Sequence, residues 1–173
     1  MANFKEGLVK VKAFIFDIDG VLSLQTISLN AFGVPNRTVN LRDGYALQLA
    51  AKKGYHIGII SGSNSKEYVK RLKSLGITNI FLNSRSKIDH YRFFKEKFNL
   101  EDSDILYMGD DIPDFDVMKI AGVPVCPSDA DSEIKQLSFY ISDKKGGEGC
   151  VRDVIEQVLR LHNNWMDSEA FTW

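Results

Sequence analysis

The chain has 173 residues, 44% hydrophobic and 26% charged, with a formal net charge of −1; this is the composition of a single globular domain, 1–173, with a core of ordinary size. That balance excludes broad electrostatic attraction to nucleic acid or an anionic membrane, and no run is long and apolar enough to span a bilayer. Cys126 and Cys150 show neither metal-ligand spacing nor a disulfide framework, and "MANFKEGLVKVK" lacks the apolar core of a secretory signal, so a reducing cytoplasm is the expected setting.

The first predicted element is "AFIF" (13–16), a continuous apolar run of the kind buried inside a parallel sheet. It runs directly into "DIDG" (17–20). Residues 23–41 carry β-like "TISL" and "TVNL" around turn-like "FGVPN", which predicts a β-hairpin projecting from the sheet. "DGYALQLAAKKG" predicts a helix capped by Asp43 and stopped at Gly54. "HIGIIS" (56–61) is the second strand. "SKEYVKRLKSLG" places Tyr68, Val69, Leu72 and Leu75 on one helical face and ends at Gly76. "NIFL" (79–82) is a third strand, and "KIDHYRFFKEKFNL" is a helix with an aromatic side. "ILYMG" (105–109) is the fourth strand, followed by a helix opened by Pro113. "VPVC" (123–126) and "FYIS" (139–142) complete the strands, and "CVRDVIEQVLRLHNNW" is the closing helix. The tail, 163–173, carries two tryptophans and is either disordered or docked on a neighbour. This alternation specifies right-handed βαβ crossovers. The expected fold is a three-layer α/β, Rossmann-like parallel sheet with the hairpin after its first strand.

In an open parallel sheet, ligands bind beyond the carboxyl ends of the strands. Here those ends carry Asp17 and Asp19 on the first strand, Ser61 and Gly62 on the second, Lys87 opening the helix after the third, and Asp110, Asp111 and Asp114 after the fourth. A carboxylate is costly to desolvate, and two close together repel, so a run ending in two aspartates calls for a cation. Mg²⁺ suits oxygen donors, and the carboxylates of Asp17 and Asp110 with the Asp19 carbonyl are the predicted ligands. Asp17 is the predicted nucleophile towards phosphorus, and Asp19 the predicted acid and base. Ser61 and adjacent backbone N–H groups would hold phosphoryl oxygens, and Lys87 would balance the charge on phosphate and Asp17.

The ordered set "DIDGV" (17–21), "SG" (61–62), Lys87 and "GDDIPD" (109–114) resembles the haloacid dehalogenase-like phosphatase superfamily. The resemblance implies supporting roles for Asp111 and Asp114 beside the Mg²⁺ site. It implies a capless member, since neither the gap after the first motif nor that after the second holds a cap domain. The short chain, "RDGYAL" (42–47) and the "GGEGCVRDVIEQVL" stretch (146–159) are similar to 3-deoxy-D-manno-octulosonate 8-phosphate (KDO 8-phosphate) phosphatases. That similarity implies a phosphorylated sugar acid as substrate, lipopolysaccharide precursor synthesis as setting, and a homotetramer built on the hairpins, with neighbours completing each site. Arg42 and the loop Gly146, Gly147, Glu148 and Gly149 are the candidates to meet the substrate's carboxylate.

Two residues depart from the family pattern. Ser63 stands where many members have arginine after the second motif, and Glu148 where many have a basic residue. Glu148 resembles the enzymes of nine-carbon sugar acids, so a KDN or N-acetylneuraminate 9-phosphate phosphatase is the alternative. A phosphorylated receiver domain is a further possibility for a capless α/β unit. It would need its aspartate on the third strand, which here ends in Asn83.

Overall fold

The computed structural model describes residues 4–172. Six strands form one parallel sheet: β1 Ala13–Phe16, β2 His56–Ile60, β3 Asn79–Phe81, β4 Ile105–Met108, β5 Val123–Cys126 and β6 Tyr140–Ile141. Their order is β3-β2-β1-β4-β5-β6. β1 is therefore central, with Phe16 level with Ile59 of β2 and Met108 of β4. The strand ends that follow these residues converge on one edge.

Side-chain alternation splits the core into two faces. Phe14, Phe16, Ile57, Ile59, Leu106 and Met108 point to the layer of α2 (Leu41–Lys52), α3 (Lys66–Ser74) and α7 (Cys150–Leu161). Ala13, Ile15, Ile60, Ile105 and Tyr107 point to α4 (Lys87–Lys97), α5 (Phe115–Ile120) and α6 (Ser132–Leu137). Strands buried on both faces are why these runs read as uninterrupted apolar sequence. α1 (Phe4–Leu8) and α6 have no counterpart in the sequence reading; five or six residues are too few to display a helical period. Among the described residues no helix is long and apolar enough to cross a membrane.

The chain departs from expectation in four places. Residues 23–41 turn back on themselves, but a single antiparallel bridge, Leu29 with Pro35, stands in for the ladder. Pro35 has no N–H to donate, and the Asn30 side chain accepts from Phe32 N–H and Val34 N–H, replacing strand bonds with a local turn. Asn40, not Asp43, caps α2, accepting from the N–H groups of Arg42 and Asp43. Pro113 lies in a 3₁₀ turn, Ile112–Asp114, that precedes α5. The tail folds onto its own chain. Trp165 is buried against Tyr45 and the guanidinium of Arg152, Tyr45 Oη donates to the Ala170 carbonyl, and Lys53 pairs with Asp167 and Glu169. Trp173 lies outside the described residues.

Asp43 has a different use from the predicted one. It is buried within α2, and its Oδ1 accepts from Arg152 N–H at 2.7 Å, in the first turn of α7, whose own cap position is a glycine. Its Oδ2 is buried without a hydrogen-bond partner. Burial raises the carboxyl from 3.8 to about 6, against the pull of the backbone N–H groups. A folded value above the unfolded one means the native state holds the proton more tightly, so this group's contribution falls as pH rises from about 4 to 6. Asp43→Asn keeps an acceptor and removes the titration. Its melting temperature relative to the unsubstituted protein should rise between pH 4 and 7, by an amount corresponding to about 2 kcal/mol; a difference that is flat with pH would refute this.

Candidate active site

A cavity of about 860 Å³ opens at the carboxyl edge of the sheet. Asp17, Asp19, Ser61, Gly62, Lys87, Asp110, Asp111 and Asp114 all line it. Each arrives from the turn after a strand, or, for Lys87, from the first position of the helix after β3. Asp17 continues β1, and its N–H donates to the Met108 carbonyl of β4. Its Oδ1 accepts from Ile18 N–H at 2.6 Å, and its Oδ2 from Lys87 Nζ at 2.7 Å. Lys87 Nζ also donates to Asp114 Oδ1 at 2.7 Å, and the buried Tyr107 hydroxyl donates to the same oxygen. Asp110 N–H donates to Asp114 Oδ2 at 3.2 Å. Asp114 is thus spoken for on both oxygens and braces the turn.

Asp17, Asp110 and Asp114, all buried, each offer an oxygen within 4.8 Å of the others. Burial raises the Asp17 carboxyl, and the charge of Asp114 raises it further, while Lys87 pulls it down. Burial and then the charge of Asp17 push Asp110 up to about 7. Burial alone would lower the Lys87 ammonium, but its two carboxylate partners outweigh that and hold its pKa high. Seven aspartates line the cavity against one lysine and one arginine. An entering phosphate would meet net repulsion unless more positive charge joined it. The trio of hard, buried oxygen donors has the chemistry to hold a small divalent cation.

Ser61 is buried, and its Oγ lies 2.8 Å from Ser63 Oγ and accepts from Ser63 N–H. The turn it begins is tied to the next strand end, since Ser84 N–H donates to the Ser61 carbonyl and Asn83 N–H to that of Ser63. Gly20 has φ +80°, and a Cβ there would stand 1.9 Å from Asp110 Oδ2, so the two acidic turns fit together only because this side chain is missing.

The remaining candidates sit elsewhere in the chain. Arg42 is exposed and lines a second groove with Lys144, Glu148, Gly149 and Arg152 that shares no residue with that cavity. Gly146 and Gly147 pack against the Gly20–Leu24 turn, and Gly146 N–H donates to Asp129 Oδ1 on the cavity wall at 2.9 Å. A Cβ on Gly146 would stand 1.9 Å from the Gly20 carbonyl oxygen, and Gly147 N–H donates to the Val21 carbonyl. The close backbone approach that these glycines allow is to the Gly20–Leu24 turn.

Several lining or adjoining residues escaped the sequence reading, Ser84, Asp129 and Asp131 among them. Gln25 Nε2 donates to Asp110 Oδ2 at 3.1 Å. Arg85 is exposed on the cavity wall, two residues before Lys87; its place on a strand-end loop was a usable signal. Arg37 forms a two-pronged pair with Asp19, Nε to Oδ1 at 2.7 Å and Nη2 to Oδ2 at 2.9 Å. Nothing local to Arg37 announces that it folds back on residue 19.

The description of haloacid dehalogenase-like hydrolases matches residues 74–155. KDO 8-phosphate phosphatase KdsC of Escherichia coli K12 is 31% identical over 149 residues, covering 86% of this chain and 79% of the relative. The Yersinia pestis KDO 8-phosphate phosphatase structure superposes with a TM-score of 0.90 at 27% identity, over 94% of this chain and 88% of that one. The Moraxella catarrhalis enzyme, crystallised with magnesium, phosphate and KDO, superposes with a TM-score of 0.88 at 32% identity, over 93% and 92%. With the four motifs meeting at one sheet edge, the chain belongs to the KDO 8-phosphate phosphatase family of haloacid dehalogenase-like hydrolases.

Proposed function

We propose that this chain is a Mg²⁺-dependent phosphatase that hydrolyses KDO 8-phosphate to the free sugar acid and phosphate. The observation that carries the reading is the buried trio of Asp17, Asp110 and Asp114 with Lys87 bonded to Asp17. Asp17 and Asp110, with the main-chain carbonyl of Asp19, would hold the ion, and Asp111 and Asp114 support them. When bound, Mg²⁺ offsets the charge of the carboxylates and of the phosphoryl group.

The protein's own residues account for the bond changes. Asp17 attacks phosphorus, the bond to the sugar oxygen breaks, and Asp19 passes a proton to that oxygen. Asp19 then takes a proton from water, whose oxygen attacks the aspartyl-phosphate and returns Asp17 as a carboxylate. Lys87 stays charged and steadies the phosphoryl oxygens, as do Ser61 and the N–H groups around Gly62. Lys87 keeps Asp114 as a partner when Asp17 loses its charge, so Asp17→Asn should fold normally. It should lose more than about 10³-fold in phosphate release; retained turnover would remove Asp17 as the nucleophile.

The substrate is anionic at both ends. Lys87 is engaged by two aspartates, which leaves Arg85 as the cavity's available cation for the sugar acid's carboxylate. Arg85→Ala should raise KM for KDO 8-phosphate about 10- to 100-fold, the loss expected for one charge-assisted bond. KM for a carboxylate-free phosphate ester should not change. Equal effects on both substrates would contradict the assignment. The same assay run with a nine-carbon sugar-acid 9-phosphate separates the two substrate lengths.

A homotetramer fits the hairpin. Phe32 is 91% exposed and Leu29 63%, with Val34 beside them, and apolar side chains at a tip in this density favour burial against another copy. In such an assembly neighbouring copies would complete each site. The setting is a reducing cytoplasm, compatible with Cys126 and Cys150 as buried thiols. Sedimentation should give a tetramer for the unsubstituted protein and smaller species for Phe32→Glu; a fully active monomer would dispose of the assembly.

A further inference from the structure

We infer that Arg37 is the positioning residue for Asp19, an inference that rests on the phosphatase reading above. The arginine side chain is almost fully buried, 7% exposed, whereas Asp19 is 40% exposed. A buried guanidinium needs a partner for its charge, and the hydrogen bonds of this one run to both oxygens of Asp19. Such a fork fixes the plane of a carboxylate as well as its distance. Asp19 is accordingly absent from the trio of approaching carboxylates. Its carboxylate is held by Arg37 while the residue still lines the cavity.

The arginine is itself held in place. The next residue, Thr38, donates its N–H to Ser23 Oγ at 2.9 Å, and its Oγ1 accepts from Leu24 N–H at 3.0 Å. Ser23 in turn closes the Asp19 turn, with its N–H on the Ile18 carbonyl and its carbonyl receiving Gly20 N–H. Arg37 is thereby anchored to the loop whose carboxylate it grips. The segment after β1 aims the proton donor through its base, whatever its exposed tip touches.

The consequence is selective. A sugar alkoxide leaves poorly unless protonated, whereas p-nitrophenolate leaves without help. A residue that aims the acid should matter for the first ester and little for the second. The test follows the first turnover, release of the leaving group, for KDO 8-phosphate and p-nitrophenyl phosphate with Mg²⁺ present. Arg37→Met should slow release from the sugar ester about 10²-fold and from the aryl ester less than about threefold, at unchanged KM. Arg37→Lys, which keeps charge but not the fork, should fall between. In an Asp19→Asn background, Arg37→Met should add no further loss. Turnover of both esters by the unsubstituted protein is read first, and its absence overturns the phosphatase reading and this one with it. Given that turnover, equal losses on both esters, or no loss on the sugar ester, overturn the role of Arg37.

Discussion

The ion pair of Lys87 with Asp17 and Asp114 is the constraint on which the site depends. Three carboxylates whose oxygens approach within 4.8 Å of one another are expensive to bury, and burial, then neighbouring carboxylate charge, raises the proton affinity of Asp17 and Asp110. One buried ammonium shared between two of them compensates part of that charge. It does not compensate all of it, since Asp110 still sits at about 7. The uncompensated remainder is the electrostatic basis of the proposed cation site.

The sheet order explains why the cluster forms where it does. β1 lies between β2 and β4, so the turns after these three strands are neighbours in space though far apart in sequence. The turns then pack closely enough that side chains must be missing at the joints. Gly20 lets the first acidic turn meet Asp110, and Gly146 lets the last loop meet the Gly20 carbonyl. Asp43 extends the same economy to the helical layer, supplying the start of α7 with the acceptor that Gly149 cannot provide.

The segment between β1 and α2 joins surface to chemistry. Its tip exposes Phe32 and Leu29. Its base is stitched to the Asp19 turn by Thr38 and Ser23, and between them Arg37 reaches the carboxylate. A short segment with one strand bridge has little internal stability of its own. Its order comes from these base contacts and, in the proposed assembly, from other copies at the tip.

Much of this was legible in the residues alone. Buried parallel strands read as unbroken apolar runs, and the acids, hydroxyl and lysine that follow them stand out because polar groups at such ends need a reason. Asp17, Asp19, Ser61, Lys87, Asp110 and Asp114 were found this way, and all of them line one cavity. The partners that reach across the fold were not legible. Arg37 carries no local signal, Asp43 reads as a cap, and Gly146 as part of a loop open to a ligand. Local sequence determined the strands, their polar ends and hence the chemistry on offer. Only the tertiary structure decided which distant groups neutralise, aim or pack against those ends, because burial and charge pairing depend on neighbours that chain order does not reveal.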